Sequence, residues 1–252
     1  MFTLSVEEEN DAIKDFGDII RFPTISSLGP INGSYRACSQ WLLQKLLSFK
    51  LEASILPESL SEKPIVIATY LGSNPELPCI LLNRLLLFVR KNSFVVFTHF
   101  NDFSHYDVVP VIQELWDFPA FEAIIKDGRM YGRGTQDMKS VCVQYLTAIK
   151  KLKTLGFQPQ RTINLSFVPD EEISGLEGME ILRTSNWFSK LNVGLALDEG
   201  LANETDQYSV FYGERVPWWI TVKFVLNYFD VEWCRLHLWA TSIPIKLYTN
   251  KE

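Results

Sequence analysis

The sequence has no run of about 18 uncharged apolar residues, which is the length that a membrane-spanning helix needs. It begins at Met1 without the basic start and the apolar stretch of a signal peptide. Positive charge is in deficit, because 24 lysines and arginines face 30 aspartates and glutamates, giving a net charge of −6. Nucleic acids and anionic membranes bind proteins with a surplus of positive charge. We therefore expect neither a nucleic acid nor a membrane as a partner.

Cysteine is scarce as well. The four cysteines show no short pairing of the kind that a disulfide framework uses. They predict reduced, mostly packed thiols, and with them a cytoplasmic protein. These residues are Cys38, Cys79, Cys142 and Cys234.

The chain contains enough apolar material for a folded core. Of its 252 residues, 47% are apolar and 21% are charged, which excludes a disordered chain and allows one large domain or two small ones. Ser5 and Glu8 have the spacing of a capping box and predict a helix that runs to about Arg21. Apolar residues at helical spacing predict further helices around 37–47 and 141–152.

Four short runs rich in apolar and β-branched residues predict strands. Strands that alternate with helices indicate an α/β fold, with a mixed, mostly parallel sheet flanked by helices. In such folds, ligands bind in the loops beyond the carboxyl ends of the strands. The predicted strands cover 64–71, 79–82, 162–168 and 193–197.

The first polar cluster is His105-Tyr106-Asp107, in a strand-like stretch. Side chains two positions apart in a strand point the same way, so His105 and Asp107 can face one site. An aspartate beside an imidazole can hold its second nitrogen and fix its orientation toward a metal. The alternative is an ordinary surface histidine beside an aspartate.

The second cluster is the segment 132–139, between a short predicted strand and the helix that contains Val141. Its glycines permit a tight backbone path that places Asp137 at the start of the helix. The alternative interpretation is that Asp137 is an N-cap residue in a glycine-rich turn.

Two further clusters follow predicted strands. Asp170, Glu171 and Glu172 are three consecutive acids, which repel one another unless solvent or a cation screens them. Adjacent carboxylates can divide their work, so that one binds metal while the other takes a proton from water. Asp198 and Glu199 end the last predicted strand. Each acidic run alone is also typical of a solvated loop, but four clusters in order at strand ends favour a site.

These residues resemble the zinc-dependent M20 metallopeptidase family, and they match its aminoacylase-1 branch closely. The resemblance covers roughly 6–83 and 104–224. It rests on the segments 104–110, 132–139, 167–175, 196–200 and, for the aminoacylase branch in particular, 211–219.

The resemblance implies two zinc ions and the hydrolysis of N-acyl-L-amino acids, which are small molecules, to a carboxylate and a free amino acid. It also implies two catalytic residues, with Glu171 as the general base that activates water and Asp107 as the residue that orients the histidine. The implied metal ligands are His105 for the first zinc, Asp137 as a bridge between the ions, and Glu172 for the second zinc. The resemblance assigns the remaining ligand of the first zinc to Glu199, with Asp198 as the fallback.

Residues 84–103 depart from the family pattern, in which the strand before His105 is continuous. Splice dinucleotides fit inside the codons of Arg84 and Ser104, and removing the segment joins Asn83 to Ser104 in frame. We therefore hypothesise that 84–103 is translated intron. The alternative is an ordinary loop specific to a lineage.

The end of the chain departs as well. We assign 1–224 to the catalytic domain, whereas 225–252 has no match to the lid and dimerisation domain of the family or to the histidine that binds the second zinc. The other two histidines, His99 and His237, lie outside the family motifs. Family members form homodimers through that domain, so the oligomeric state of this chain stays open. Two alternative functions follow, an inactive truncated isoform or gene-model fragment, and a dipeptidase or other amide hydrolase.

Overall fold

The computed structural model describes residues 3–82 and 105–197, together with the backbone of two strands at 217–222 and 234–239. The described residues divide into two compact units, the first with 3–82 and 105–197 and the second with the two later strands. The segment 84–103, Asp198 and Glu199 lie outside the described residues.

The first unit contains the described helices, and the sequence signals explain why they form. Helix α1 begins after Ser5, whose hydroxyl accepts the backbone N–H of Glu8 at 3.2 Å, while the Glu8 carboxylate accepts the backbone N–H of Ser5 at 2.7 Å. This reciprocal pair is the predicted capping box, and it is confirmed. The helices are α1 (Val6–Ile20), α2 (Gly29–Asn32), α3 (Ser34–Ser48), α4 (Lys139–Thr154), α5 (Met179–Thr184) and α6 (Asn186–Ser189).

Five strands form the central sheet of the first unit, in the order β1-β2-β6-β3-β7. A separate hairpin in the same unit pairs β4 with β5, and the second unit consists of the antiparallel pair β8 and β9. The strands are β1 (Glu52–Ile55), β2 (Val66–Tyr70), β3 (Cys79–Leu82), β4 (Ile124–Lys126), β5 (Arg129–Tyr131), β6 (Ile163–Phe167), β7 (Val193–Leu197), β8 (Pro217–Val222) and β9 (Cys234–Trp239).

The prediction of an α/β fold with a mixed sheet flanked by helices is confirmed. Strand β6 pairs in parallel with β3, and β3 pairs in parallel with β7, whereas β1 with β2 and β2 with β6 are antiparallel. Parallel and antiparallel pairings are therefore equal in number in this sheet, rather than mostly parallel. The sequence does not predict β1, because this short strand is half exposed and carries no strong apolar signal. Its antiparallel pairing with β2 makes the two kinds of pairing equal in number.

Both faces of the sheet are buried at its central strands β2 and β6. On β2, Val66 and Ala68 belong to one core cluster, while Ile67 between them belongs to another on the opposite face. The larger cluster includes residues of α1, α3 and α4, and the smaller one packs under α5. Burial on both faces explains why β2 is a nearly continuous apolar run, whereas β6 also buries the polar residues Asn164 and Ser166.

The pairing with β6 continues beyond β3 in one register. Leu82 pairs with Leu165, an offset of 83 positions, and His105 pairs in parallel with Val168, an offset of 63 positions. The two offsets differ by 20, which is the number of residues from 84 to 103. His105 therefore lies where it would lie if Asn83 were joined directly to Ser104.

No helix in the described ranges is long and apolar enough to cross a lipid bilayer. Strands β8 and β9, which pair with each other, lie on either side of the domain boundary that we place between residues 224 and 225. That boundary stays a prediction.

Candidate metal centre

The fold brings the polar clusters to one edge of the central sheet. His105 extends the pairing of β3 along β6. Beyond the end of β6, three residues lead to a short 3-10 turn, Glu171–Ile173, which carries Glu171 and Glu172. Because β3 and β6 are parallel, their carboxyl ends meet at the same edge. Asp137 reaches this edge from the turn that precedes α4.

The imidazole of His105 is fully buried and held in one orientation. Its Nδ1 lies 2.9 Å from the backbone carbonyl oxygen of Asp107, and a carbonyl can only accept, so Nδ1 carries a hydrogen. The other nitrogen, Nε2, lies 3.0 Å from Oδ1 of Asp137 and 3.6 Å from Oε2 of Glu171. This arrangement directs Nε2 at the carboxylates, as a metal ligand requires.

Asp107 connects the segment that carries His105 to the turn that carries Glu171 and Glu172. Its carboxylate is fully buried, and it accepts the hydroxyl of Ser26 at 2.7 Å. It also accepts the backbone N–H groups of Glu171 at 3.1 Å and of Glu172 at 3.3 Å. Asp107 thus fixes the turn that carries the two glutamates as well as the histidine beside it.

Asp137 is placed by a glycine turn. Gly134 has a left-handed backbone with φ +88°, and a Cβ at that position would lie 2.9 Å from Cγ1 of Val108. Helix α4 begins with Met138 as its N-cap residue, without a capping side chain. The interpretation of Asp137 as an N-cap is therefore wrong, and its carboxylate instead contacts His105.

Among the described residues, His105, Glu171 and Glu172 form a group whose ligand atoms all lie within 4.8 Å of one another. Asp137 joins this group through Nε2 of His105. The structure thus brings together the predicted residues that it describes, and their individual roles stay predictions. Glu199 and Asp198 lie outside the described residues.

The surroundings exclude two of the simpler interpretations of these residues. His105 and Asp107 are both fully buried, so they are not a surface pair. Asp170 is 2% exposed, and the Glu171 side chain is 11% exposed, so this acidic run is not a solvated loop.

Negative charge is concentrated at the cluster. Burial raises the pKa of Glu172 to about 7, and the charges of Asp137 and Asp107 add to this effect. Burial by itself lowers the pKa of His105, but hydrogen bonds to Asp107 and Asp137 and the charge of Glu171 hold it well above its ordinary value. The cluster therefore favours positive charge at Nε2, and a divalent cation bound by one imidazole and several carboxylates fits it.

The sequence predicts no role for Ser26 or for Lys139, although Lys139 ends the segment 132–139. Lys139 is fully buried, and its ammonium group donates to the backbone carbonyls of Ile19 at 3.1 Å and Phe22 at 2.7 Å, which holds the end of α1 against the start of α4. Burial lowers the pKa of Lys139 to about 8. Ser26 and Asp107 are 81 positions apart in the chain, and no local sequence pattern predicts a contact between them.

Residues 103–232, about half of the chain, match the sequence model of Peptidase family M20/M25/M40.

Curated relatives of the chain include Aminoacylase-1 of Mus musculus, which is 39% identical over 223 residues, 88% of this chain and 48% of that protein. Aminoacylase-1 of Homo sapiens is 45% identical over 159 residues, 63% of this chain and 34% of that protein. The chain spans about half the length of the curated relatives that it matches over most of its own length.

Two solved structures share the fold. The dipeptidase Dug1p of Saccharomyces cerevisiae superposes with a TM-score of 0.57 at 16% identity, over 84% of this chain and 42% of that one. Human carnosine dipeptidase 1 superposes with a TM-score of 0.57 at 15% identity, over 77% of this chain and 39% of that one. At such identities the likeness concerns the fold alone.

Proposed function

Since this chain belongs to Peptidase family M20/M25/M40, we propose that it carries a zinc-dependent site that hydrolyses N-acyl-L-amino acids to a carboxylate and a free L-amino acid. The observation that carries the proposal is the buried His105, oriented by Asp107 and directed at Asp137 and Glu171. The aminoacylase-1 relatives support the choice of substrate class.

Three of the described residues would hold zinc in this proposal. They are His105 through Nε2, Asp137 between two ions, and Glu172 through its carboxylate, with Glu199 as a further ligand outside the described residues. When bound, zinc supplies the positive charge that polarises the amide carbonyl and lowers the pKa of water. The raised pKa of Glu172 supports a cation at this place, because a cation relieves the repulsion among the carboxylates.

Glu171 is the proposed general base. Its Oε2 lies 3.6 Å from Nε2 of His105, so its carboxylate borders the position that a metal at Nε2 would take. The carboxylate takes a proton from water as the water oxygen bonds to the acyl carbon. It then delivers that proton to the amide nitrogen as the carbon–nitrogen bond breaks, which releases the amine.

Asp107 acts by positioning rather than by touching the substrate. Its backbone carbonyl holds the Nδ1 hydrogen of His105, and its carboxylate holds the backbone of Glu171 and Glu172. The imidazole and the base are thereby kept in fixed relation before a substrate arrives.

We also propose a cytoplasmic location. The cysteines of the described residues, Cys38, Cys79 and Cys142, are free and buried, which supports a reducing compartment.

The test is the release of methionine from N-acetyl-L-methionine by the zinc-loaded chain. We expect Glu171→Gln to lower kcat by about 10²- to 10⁴-fold with unchanged zinc content, which is the usual contribution of a general base. The exposed Glu114→Gln serves as the control and is expected to keep the wild-type rate. A zinc-loaded wild type without turnover would contradict the proposal and favour a non-catalytic product. Faster turnover of a dipeptide would favour a dipeptidase.

A further inference from the structure

We propose that the buried ion pair between Lys63 and Asp170 is a clamp that positions Glu171 and Glu172 at the metal centre. The inference rests on the proposed function, because it assigns the role of the clamp to that same site. Lys63 and Asp170 would be positioning residues, since neither of them belongs to the group of ligand atoms around His105.

The clamp is anchored on both oxygens of the Asp170 carboxylate. The ammonium group of Lys63 donates to Oδ2 of Asp170 and also to the carboxylate of Glu177. The hydroxyl of Tyr35 donates to Oδ1 at 3.0 Å. The Lys63 side chain is only 12% exposed, so its charge is withdrawn from water together with that of Asp170. Removing one partner leaves a buried charge without compensation, which makes the pair difficult to open.

Asp170 is also the first residue of the turn that carries the glutamates. Its backbone has φ +66° and ψ 20°, a left-handed conformation that aspartate tolerates better than most residues. Its carbonyl oxygen accepts the backbone N–H groups of Gly175 at 2.7 Å and Ile173 at 3.3 Å. The turn that carries the glutamates is therefore closed by Asp170, one residue before Glu171.

Two routes connect the clamp to the metal centre. On one side, the next two backbone N–H groups, those of Glu171 and Glu172, donate to Asp107. On the other side, Pro64, which follows Lys63, accepts the hydroxyl of Tyr106 at 2.7 Å.

Tyr106 lies between His105 and Asp107 in the chain, so the segment 63–64 contacts both chain segments that supply the site, at Tyr106 and at Asp170. The ring of Tyr35 packs edge to face against that of Tyr106 with centroids 5.2 Å apart, which joins the two routes.

The chain provides a matched control for the clamp. Lys45 and Asp15 also form a partly buried lysine–aspartate pair, which connects α3 to α1. Neither of them is hydrogen-bonded to a residue of the metal centre in the described part of the chain. Breaking this pair tests the general cost of losing such an interaction, whereas breaking the clamp tests the position of the glutamates.

The experiment uses the full chain and two readouts. The first is hydrogen exchange, followed by NMR, at the amides of Glu171 and Glu172 in protein treated with a chelator. The second is titration with Co²⁺, which reports affinity and, through its visible absorption spectrum, the geometry of the ligands. The variants are Lys63→Met, Lys63→Arg and Asp170→Asn, with Lys45→Met and Asp15→Asn as controls.

We expect Lys63→Met and Asp170→Asn to accelerate exchange at both amides at least tenfold. We also expect them to weaken Co²⁺ binding at least tenfold and to change its spectrum. Lys63→Arg restores both readouts in large part, because it keeps the charge. The control variants lower the melting temperature but leave exchange at Glu171 and Glu172 and the Co²⁺ spectrum as in the wild type.

The inference is overturned by unchanged exchange and spectrum in Lys63→Met, or by equal changes in Lys45→Met. If Asp170→Asn does not fold, the comparison of Lys63→Met with Lys63→Arg decides the question. Hydrogen exchange needs no metal and no substrate. A wild-type chain that hydrolyses nothing would therefore refute the proposed function, while the clamp would still be judged by the amides.

Discussion

His105 pairs with Val168 in the register that Leu82 and Leu165 set for the same two strands, provided that residues 84–103 are left out. In a strand, each added residue shifts the side chains by one position and reverses their faces. The two pairing offsets differ by 20, the length of the segment 84–103. Leu82 and His105 therefore pair as parts of one strand would, if this segment had been inserted into that strand. The shared register is what an insertion into this strand predicts, and it fits a translated intron and a lineage-specific loop equally well, so both stay predictions.

Deleting residues 84–103 should keep the metal centre. We expect the deletion variant to melt at or above the temperature of the full chain and to bind Co²⁺ with an affinity within about threefold, measured by thermal melts and titration. Deleting residues 84–102 is the matched control, because the one remaining residue moves His105 out of register. That control should lose most of its Co²⁺ affinity. Equal loss in both deletions would show that the register is not continuous.

Ser26→Ala tests the hydroxyl that supports Asp107. The hydrogen bond is buried and its acceptor is a carboxylate, so its loss should lower the free energy of unfolding by about 1.5–3 kcal/mol. It should also weaken Zn²⁺ binding, since Asp107 orients His105. Ser39→Ala removes a hydroxyl that donates to a backbone carbonyl within α3 and should cost about 1 kcal/mol without affecting zinc. Denaturant unfolding and zinc titration measure both effects, and equal zinc affinity in wild type and Ser26→Ala would refute this role.

The pH dependence of the metal-free protein follows from Glu172. Its pKa is raised from an ordinary 4.5 to about 7, so the folded state keeps a proton that the unfolded state has already released. Stability therefore falls as the pH rises from about 4.5 to about 7. The raised pKa of His105 acts in the same direction above pH 6.5.

Thermal melts between pH 4.5 and 7, with a chelator present, should show this decline, and Glu172→Gln should make it shallower. The exposed Glu114→Gln should leave the slope as in the wild type. A wild-type melting temperature that rises through this range would contradict the raised pKa. Above pH 8, Lys139 opposes the trend, because its lowered pKa means that the folded state binds fewer protons there.

Gly134→Ala tests the turn that presents Asp137. A left-handed alanine costs roughly 1–2 kcal/mol, and here its Cβ would also press against Val108 and Lys139, so we expect a loss of at least about 2 kcal/mol and weaker zinc binding. Gly128→Ala is the matched control, with φ +72° and no heavy atom within 4 Å of its Cβ, and should cost only the backbone strain. If both variants unfold at the same denaturant concentration, the contact with Val108 has no energetic weight.

The sequence predicts well what local patterns encode. The capping box of Ser5 and Glu8 and the apolar runs that become β3, β6 and β7 each lie within a few residues, and the structure confirms them. The acidic and histidine clusters can also be located at strand ends from the sequence, because each of them lies within a few residues of an apolar run. By contrast, β1 is short and half exposed, so its residues carry no strong signal.

The contacts that support the site are beyond local patterns. Lys63 and Asp170 are 107 positions apart, and the pair depends on how the strands are ordered in the sheet. The raised pKa of Glu172 likewise needs the burial that only the folded sheet provides. Sequence patterns thus indicate which residues have the chemistry of metal ligands or of a general base. The fold determines which of these residues are fixed in position and which contacts fix them.

Convergence of these residues on a divalent cation can be observed by anomalous diffraction at the zinc edge from crystals of the zinc-loaded chain. We expect a peak about 2.0–2.1 Å from Nε2 of His105, with oxygens of Glu172 and Asp137 at about 2.0–2.2 Å from a zinc position. Zinc bound elsewhere, with no peak within coordination distance of His105, would contradict it.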